Sequence, residues 1–322
     1  MKTIDDKPTL PYYKEHGSNK LPDASPSVVR QALEEALGIV SKGSAASGNY
    51  GHGGRPGEVG GSTSRATVAL LSYANKFGGA EVDPRIGAPV PRNPEAVTQA
   101  LLKRCKQLEQ VIGLPKHMGV DVMPPNSASS IKELVQDAKE VAPVFLSILD
   151  KAKVLTGGEI LAGENNKNLL KTEDSLTRKV NKRMNDFGTD EKTVIKSIVD
   201  SVRASLIVNT IQDVGIATSK IKELVESHGG YVDIDNKFSK DNIPPDSAYT
   251  AIHVAARIKS DNGRYVNSEI QIHLRSVNDG SETAPKQRAH SIYDKTRVAL
   301  GGYVVDAGRG ATALIFAQAL GA

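Results

Sequence analysis

YTAIHVAARIKSDNGRYVNSEIQIHLRS, residues 249–276, contains two runs in which apolar and polar side chains alternate. A period of two residues is typical of strands that bury one face and leave the other wet. The segment between the runs, Asp261 to Gly263, has the composition of a tight turn. The stretch therefore predicts an antiparallel hairpin, around which the rest of the fold can be arranged.

The register of this hairpin follows from its polar residues. These are Tyr249, His253 and Arg257 on the first run, and Glu269, Gln271 and His273 on the second. If both sets lie on one face, paired residues must have numbers of equal parity, which a two-residue Asn262-Gly263 loop does not allow. A three-residue loop does, and it places Gly263 at the left-handed position that such loops need. We therefore predict that His253 lies opposite Gln271 and Ala255 opposite Glu269. From this pattern alone, a ligand-binding face and a solvated face both stay open.

The residues around the hairpin predict one sheet with helices packed against it. Further apolar runs at 204–211 and 231–238 are typical of strands. Helical periodicity is found at 94–113, 128–155 (with a kink or break near Pro143), 173–187, 189–202, 213–230, 285–300 and in the apolar tail 310–322. We predict the α+β class, with a mixed, largely antiparallel sheet flanked by helices.

Composition divides the chain into three parts. Residues 1–93 are rich in Gly, Ser and Pro, and they predict a flexible N-terminal region with a short helix at 26–42. Residues 94–160 predict a helical segment. Residues 161–322 predict a domain that contains the sheet and ends in a C-terminal helix.

The composition also limits the classes of function. The 322 residues include 41 Lys or Arg and 37 Asp or Glu; the net charge of +4 suits phosphate-bearing ligands but is too small to indicate a duplex-binding surface. The single cysteine, Cys105, excludes an internal disulfide and a cysteine-rich zinc module, and we expect it to be an ordinary helix residue. The chain shows neither a secretory signal nor an apolar run of membrane-spanning length. We therefore expect a cytoplasmic protein with no membrane partner.

Five blocks of sequence, in order, resemble one known family. They are KTEDSLTRKV (171–180), IVDSVRASLIVNTIQDV (198–214), KDNIPPDSAYTAIH (240–253), SEIQIHLR (268–275) and KQRAHSIYDK (286–295). Together they are similar to the synthetase domain of RelA/SpoT-type alarmone (ppGpp) synthetases, over roughly residues 165–297. The resemblance implies a nucleotidyltransferase-like synthetase fold. It also implies a Mg²⁺-dependent pyrophosphokinase that transfers pyrophosphate from ATP to the 3′-hydroxyl of GDP or GTP.

The resemblance also implies roles for individual residues. Asp200 and Glu269 would be the catalytic, Mg²⁺-binding carboxylates, with Glu269 orienting or deprotonating the 3′-hydroxyl. Tyr249 would stack on the acceptor base. The nucleotide-binding residues implied by matching position are Lys171, Arg178, Lys179, Lys240, Tyr249, His253, Gln271, His273, Arg275, His290 and Tyr293. Such residues suit phosphoryl-type transfer, which depends largely on positioning and on neutralising charge.

The chain departs from the family pattern at several positions. Leu169 and Phe238 stand where arginines that pack on the adenine are expected, and Ser205 and His273 replace other family arginines. The acceptor is therefore open among GDP, GTP, another purine nucleotide and an RNA end such as that of tRNA. The alternative is a catalytically silent fold that binds a nucleotide or a protein.

The N-terminal region leaves a further alternative open. A polar, Ser/Pro/Gly-rich start without a signal peptide is also typical of toxins and effectors that dedicated machines export. On that interpretation the protein would be delivered into a target cell, with a secretion chaperone as a partner of residues 1–93.

Overall fold

The computed structural model describes residues 64–162, 167–239, 248–296 and 302–322. The strands, numbered along these residues, are β1 (Ala80–Asp83), β2 (Ala88–Pro91), β3 (His117–Gly119), β4 (Glu159–Leu161), β5 (Arg203–Val208), β6 (Tyr231–Asn236), β7 (Ile252–Lys259) and β8 (Tyr265–Leu274). The helices are α1 (Arg65–Ala74), α2 (Pro94–Ile112), α3 (Ile131–Thr156), α4 (Glu173–Phe187), α5 (Glu191–Lys196), α6 (Ile211–Ser227), α7 (Pro285–Thr296) and α8 (Gly302–Leu320). The predicted helix at 26–42 lies outside the described residues, as do residues 1–63 of the N-terminal region on which the export alternative rests.

The main sheet has the strand order β3-β6-β7-β8-β5-β4. Strands β5 and β8 are parallel, and the other neighbouring pairs of this sheet are antiparallel. Strands β1 and β2 form a separate antiparallel pair. The predicted class, α+β with a mixed, largely antiparallel sheet flanked by helices, is confirmed.

The predicted register of the β7–β8 hairpin is also confirmed. His253 pairs with Gln271 and Ala255 with Glu269. The Ser260 N–H donates to the carbonyl of Arg264 at 2.8 Å, which closes a three-residue loop. Gly263 has a φ of 86°, the left-handed conformation that this loop requires of its last residue.

The two faces of the hairpin have different neighbours. Its even-numbered side chains, such as Val254 and Ile270, are fully buried, and helices α3 and α6 pack on the sheet. Both helices have side-chain caps: the Ser130 hydroxyl accepts the N–H of Glu133, and Thr210 forms a capping box with Asp213. The odd-numbered side chains therefore point to the opposite side, where α7 and α8 lie.

The sequence predicted a kink or a break near Pro143; helix α3 is continuous through that residue, so there is no break. Val141, Phe145 and Ile148 are buried on either side of the proline, whereas Pro143 itself is exposed. Burial of one face thus compensates for the hydrogen bond that proline cannot donate. The predicted helix at 189–202 instead stops early, at Lys196.

The first two predicted segments differ from the observed organisation. Residues 64–93, predicted to be flexible, form α1 and the β1–β2 hairpin. Burial explains this: Ile86 and Ala88 belong to the hydrophobic core, and β2 packs against α8. The predicted helical segment 94–160 contains the two expected helices, but it also supplies β3, which pairs with β6. Segments 94–160 and 161–322 thus share one sheet and one core.

Two smaller expectations concern α2 and membranes. Cys105 is buried within α2, as expected of an ordinary helix residue. Among the described helices, none combines the length and the apolar character that crossing a membrane requires.

Gly215→Ala is expected to destabilise the protein although alanine is the better helix former. Gly215 lies in α6, and a β-carbon there would come within 2.5 Å of the backbone oxygen of Ile112 at the end of α2. The gain in helix propensity, about 1 kcal/mol, is outweighed because backbone cannot yield as a side chain can. We expect the free energy of unfolding in urea to fall by about 1–2 kcal/mol. Ile216→Ala, at an exposed position of the same helix, is the control, and an unchanged Gly215→Ala midpoint would show that α2 and α6 lie farther apart.

Candidate active site

The polar face of the hairpin is covered by helices. In the parallel register, Arg203 lies beside Glu269 and Ser205 beside Gln271, with His253 opposite Gln271 on the other side. The side chains of Glu269 and His253 are 23% and 24% exposed. Helices α7 and α8 approach this face and leave two cavities against it. Of the two interpretations left open by the alternating pattern, a simple solvated face is therefore excluded.

The first cavity, here called the aromatic chamber, has a volume of about 520 Å³. The side chains that define it are Tyr249 from the segment before β7, His253 and Gln271 from the sheet, Lys286, His290 and Tyr293 from α7, and Arg309, Thr312 and Phe316 from α8. The Tyr249 ring meets that of Phe316 edge to face, with centroids 6.1 Å apart and an interplanar angle of 88°. Rings from the sheet and from both helices thus face one space of the size that small ligands occupy.

The second cavity, the polar chamber, has a volume of about 800 Å³. It is lined by Glu159, Asn168, Arg203, Ser205, Glu269, Asn278 and Gln287, among others. Three residues, Gln271, Lys286 and His290, line both chambers. They form what we call the partition.

Hydrogen bonds connect the partition to its surroundings. The Lys286 ammonium lies 2.8 Å from Gln271 Oε1 and 2.9 Å from His273 Nε2. The Tyr249 hydroxyl lies 3.3 Å from Gln271 Oε1 and 3.3 Å from His253 Nε2. Since an ammonium only donates, His273 must accept at Nε2. Gln271 is thereby held from two sides, which orients its amide at the boundary between the chambers.

Both histidines of this cluster are uncharged near neutral pH. Burial, followed by the positive charge of Lys237, lowers the pKa of His253 to about 4, although Asp235 opposes the shift. Burial and the charges of Lys286 and His253 lower the pKa of His273 well below its ordinary value. Neither histidine is thus a cation at pH 7.

Lys286 and Glu269 supply opposite charges to the same neighbourhood. Burial lowers the pKa of Lys286 to about 8, with Glu269 opposing the shift and Arg203 adding to it. Burial, with the negative charge of Glu269, raises the pKa of Tyr249. At pH 7 the Lys286 ammonium of the partition is therefore near the Glu269 carboxylate. Tyr249, beside the partition, is a neutral hydrogen-bond donor.

Asp200 forms a second centre in the loop before β5. Its Oδ2 forms ion pairs with the ammonium groups of Lys171 and Lys179, the latter at 2.6 Å. Burial opposes ionisation of Asp200, but the two lysines outweigh it and lower its pKa. Burial, partly offset by Asp200, lowers the pKa of Lys179 to about 8. The other carboxylate oxygen of Asp200, Oδ1, is buried and makes no hydrogen bond within the described residues.

Backbone pairing relates Asp200 to Glu269. The Glu269 N–H donates to the carbonyl of Val202 at 2.9 Å, and Arg203 pairs with Glu269. Asp200 lies three residues before Arg203, which is about 10 Å along a fully extended chain. The two carboxylates thus lie on neighbouring segments, although Asp200 is not among the residues that line the polar chamber.

The structure separates the predicted site residues by location. Tyr249, His253, Gln271, His290 and Tyr293 line the aromatic chamber, and Glu269, Gln271 and His290 the polar one. His273 is fully buried behind Lys286. Of the rest, Asp200, Lys171 and Lys179 form the separate ion-pair centre, and Arg178 and Arg275 line neither chamber.

The two arginines make hydrogen bonds elsewhere. Arg178 is exposed on α4, and its guanidinium bonds to the carbonyl of Asp174 in its own helix. Arg275 bonds to Asn209 at 2.9 Å and to Glu159 at 3.1 Å, so its charge is engaged beside the polar chamber. Lys240 lies outside the described residues.

Sequence reasoning missed Lys286 and the contribution of α8. Lys286 belongs to the first turn of α7, four residues before His290, a spacing that places both on one helical face. That spacing could have suggested Lys286. Phe316 and Thr312 had no such signal, because the apolar tail predicts only a packed helix.

Comparison with known proteins finds solved structures to which this chain is similar. No protein-family model matches the sequence, and no curated protein matches it. The chain is similar to a GTP pyrophosphokinase family protein from Streptococcus pneumoniae, with 17% identity and a TM-score of 0.40 over 58% of this chain and 86% of that one. It is similar to small alarmone synthetase 1 from Bacillus subtilis, bound to its product pppGpp, with 15% identity and a TM-score of 0.36 over 56% and 88%. For smu.1046c from Streptococcus mutans the identity is 14% and the TM-score 0.35, over 58% and 89%.

The names of two of these structures agree with the family that the five sequence blocks resemble. Solved structures of that family are thus among those to which the chain is similar. Because the TM-scores lie below 0.5, these structures support no conclusion about the activity, the substrates or the site residues of this chain.

Proposed function

We propose that this chain transfers the β,γ-pyrophosphoryl group of ATP to the 3′-hydroxyl of a purine nucleotide. The five sequence blocks imply this reaction, and the observation in the structure that supports it is the position of Glu269. Its carboxylate lines the polar chamber, which is separated from the aromatic chamber only by the partition. An acceptor whose base lies in the aromatic chamber can present a hydroxyl to Glu269, while the donor's phosphates occupy the polar chamber.

The walls of the chambers suit two such ligands. The rings of Tyr249, Tyr293 and Phe316 line the aromatic chamber, and aromatic side chains provide surfaces on which a planar base can stack. Amides and charged groups line the polar chamber, where they can bind phosphate and ribose oxygens. The two volumes, about 520 and 800 Å³, lie within the range of small-molecule sites.

In the proposed reaction, Glu269 accepts the proton of the acceptor hydroxyl. The 3′-oxygen of the acceptor attacks the β-phosphorus of ATP, and its proton passes to the Glu269 carboxylate. The bond from the β-phosphorus to the oxygen bridging the α-phosphate breaks, and AMP leaves. Positioning and charge neutralisation supply most of the rate in such transfers, and a carboxylate base contributes a further factor of about 10²–10⁴.

Asp200 and Glu269 would hold Mg²⁺. The fit rests on donor chemistry: Asp200 Oδ1 is buried without a hydrogen-bond partner in the described part of the chain, and Mg²⁺ usually takes one or two carboxylates together with substrate phosphates. When bound, the ion neutralises phosphate charge. Lys171 and Lys179, beside Asp200, would bind phosphate oxygens.

A label-transfer screen tests the proposed function. The full chain is incubated with Mg²⁺, ATP labelled at the γ-phosphate, and GDP, GTP, ADP or tRNA as acceptor. We expect label on at least one purine acceptor and formation of one AMP per labelled product. If no acceptor becomes labelled, the proposed function fails.

A catalytically silent, nucleotide-binding fold is the second candidate. The observation that favours it is the pairing of Asp200 Oδ2 with both lysines, which engages the carboxylate that the reaction would need. Calorimetric binding of a purine nucleotide without label transfer would support this candidate. Transfer that disappears in Glu269→Gln would exclude it.

A further inference from the structure

Lys286 occupies an unusual place in the structure because its ammonium is partly buried between two chambers. It lines both of them, and its two hydrogen bonds go to neutral groups, Gln271 and His273. An ammonium has three N–H donors, so one of them makes no hydrogen bond within the described part of the chain and can bind a ligand. Burying a cation this way is costly, and such departures from a well-satisfied interior are most often found at functional sites.

The charges around Lys286 leave an excess of positive charge. The charged and titratable groups that line the same chambers are Glu159 and Arg203 from β4 and β5, His253 (neutral at pH 7) and Glu269 from β7 and β8, and Arg309 from α8, with His290 on α7 itself. Glu159 is paired with Arg275 at 3.1 Å, and His290 with Asp294 at 3.0 Å. Within the polar chamber, Glu269 is then the carboxylate that offsets two cations, Arg203 and Lys286.

The two cations come from different elements of the fold, strand β5 and helix α7. Arg203 pairs with Glu269 along the parallel β5–β8 register, whereas Lys286 reaches the same region from α7. Gln271, two residues along β8, holds the Lys286 ammonium at 2.8 Å. A ligand between them would meet two positively charged donors that the sheet and the helix position independently.

We propose that Lys286 and Arg203 form an anion site for the diphosphate-type group of a ligand at the partition. The inference deepens the proposed function, because it assigns to this site the pyrophosphoryl group that passes between the chambers. Lys286 would contact this group through its remaining N–H, and Arg203 through its guanidinium. The site itself binds an anion whether or not any group is transferred.

Calorimetric titration of the full chain with inorganic pyrophosphate, in EDTA at pH 7, tests the site. Lys286→Met and Arg203→Met are each expected to weaken binding about tenfold or more, since charge-assisted hydrogen bonds are among the stronger ones. Lys139→Met, at an exposed lysine of α3, should leave the affinity unchanged. Circular dichroism and urea midpoints verify that each variant is folded. Lack of binding by the wild type, or unchanged binding by Lys286→Met, would overturn the inference.

The pH dependence separates a direct contact from a structural role. Because the pKa of Lys286 is about 8, the ammonium loses its proton as the pH rises from 7 to 9, whereas an arginine stays charged. The affinity of the wild type for pyrophosphate, divided by that of Lys286→Arg, is expected to fall about tenfold over this range. Pyrophosphate itself also titrates, but it does so equally for both proteins, so its contribution cancels in the ratio. A constant ratio would contradict direct contact.

The two tests fail independently. If the label-transfer screen is negative but pyrophosphate binding depends on Lys286 and Arg203, the anion site stands and the proposed function falls. If transfer occurs and pyrophosphate binding is indifferent to both variants, the proposed function stands and the anion site falls.

Discussion

Glu269→Gln is expected to lower the rate of pyrophosphoryl transfer by about 10³-fold or more. The substitution keeps the size and the hydrogen-bonding shape of the side chain but removes the base that takes the proton of the acceptor hydroxyl. It also removes a negative charge near Lys286, so both proton transfer and the local charge balance are lost. General base catalysis alone accounts for about 10²–10⁴.

The measurement is the initial rate of label transfer from ATP to the acceptor that the screen identifies. Glu282→Gln, at an exposed position before α7, is the matched control and should retain full activity. Urea unfolding should give Glu269→Gln a midpoint close to that of the wild type, because the side chain is partly exposed. If Glu269→Gln keeps more than a tenth of the wild-type rate, Glu269 is not the base.

Asp200→Asn is expected to reduce the free energy of unfolding by about 3 kcal/mol at pH 7 and also to reduce transfer. The carboxylate neutralises two largely buried ammonium groups, those of Lys171 and Lys179. Removing one partner of a buried ion pair leaves an uncompensated charge, which commonly costs about 3–5 kcal/mol. If Asp200 had only the catalytic role that the sequence resemblance implies, the substitution would instead leave the free energy of unfolding unchanged.

The effect of Asp200→Asn should depend on pH in a defined direction. The pKa of Asp200 is lowered in the folded state, so its stabilising contribution is present above its unfolded pKa, near 4, and is lost as the pH falls through the folded value. The pKa of Lys179 is about 8, so above pH 8 this lysine sheds its charge and the penalty in the variant shrinks. The stability difference should therefore be largest between about pH 4 and pH 8, in urea unfolding at a series of pH values.

A double substitution distinguishes the structural contribution of Asp200 from its chemical one. Adding Lys179→Met to Asp200→Asn removes one of the unpaired ammonium groups, and we expect at least half of the lost stability to return. Label transfer should not return, since the carboxylate stays absent. If Asp200→Asn alone unfolds at the same urea concentration as the wild type, the ion pairs are not formed as the structure has them.

Local rules were sufficient for much of the fold. The β7–β8 register was predictable because side chains alternate with a period of two and the loop must place Gly263 in the left-handed region. The same reasoning placed Glu269, Gln271 and His253 on one face. Helix α2 also followed from its pattern, with Pro94 at its start and Gly113 after its end.

Burial overrode the local signals elsewhere. Residues 80–91 contain three prolines and one glycine, which indicate a loose segment, yet Ile86 and Ala88 are buried and the segment forms a hairpin. Pro143 indicates a break, yet α3 continues through it because its other side chains pack against the core. In both cases the deciding partners are distant in the chain, so no window of neighbouring residues could contain the answer.

The alternating pattern and the turn of residues 249–276 determine how β7 pairs with β8. They also determine the face of the sheet to which each polar residue of the stretch points. These properties depend on neighbours within a few residues, because backbone geometry and turn chemistry are local. What covers that face depends on α7 and α8, which enclose it and contribute Lys286 and Phe316. The environment of Asp200 likewise depends on two lysines of a distant segment. Cavities, buried ion pairs and shifted pKa values arise where remote segments exclude water together, and that exclusion exists only once the chain has folded.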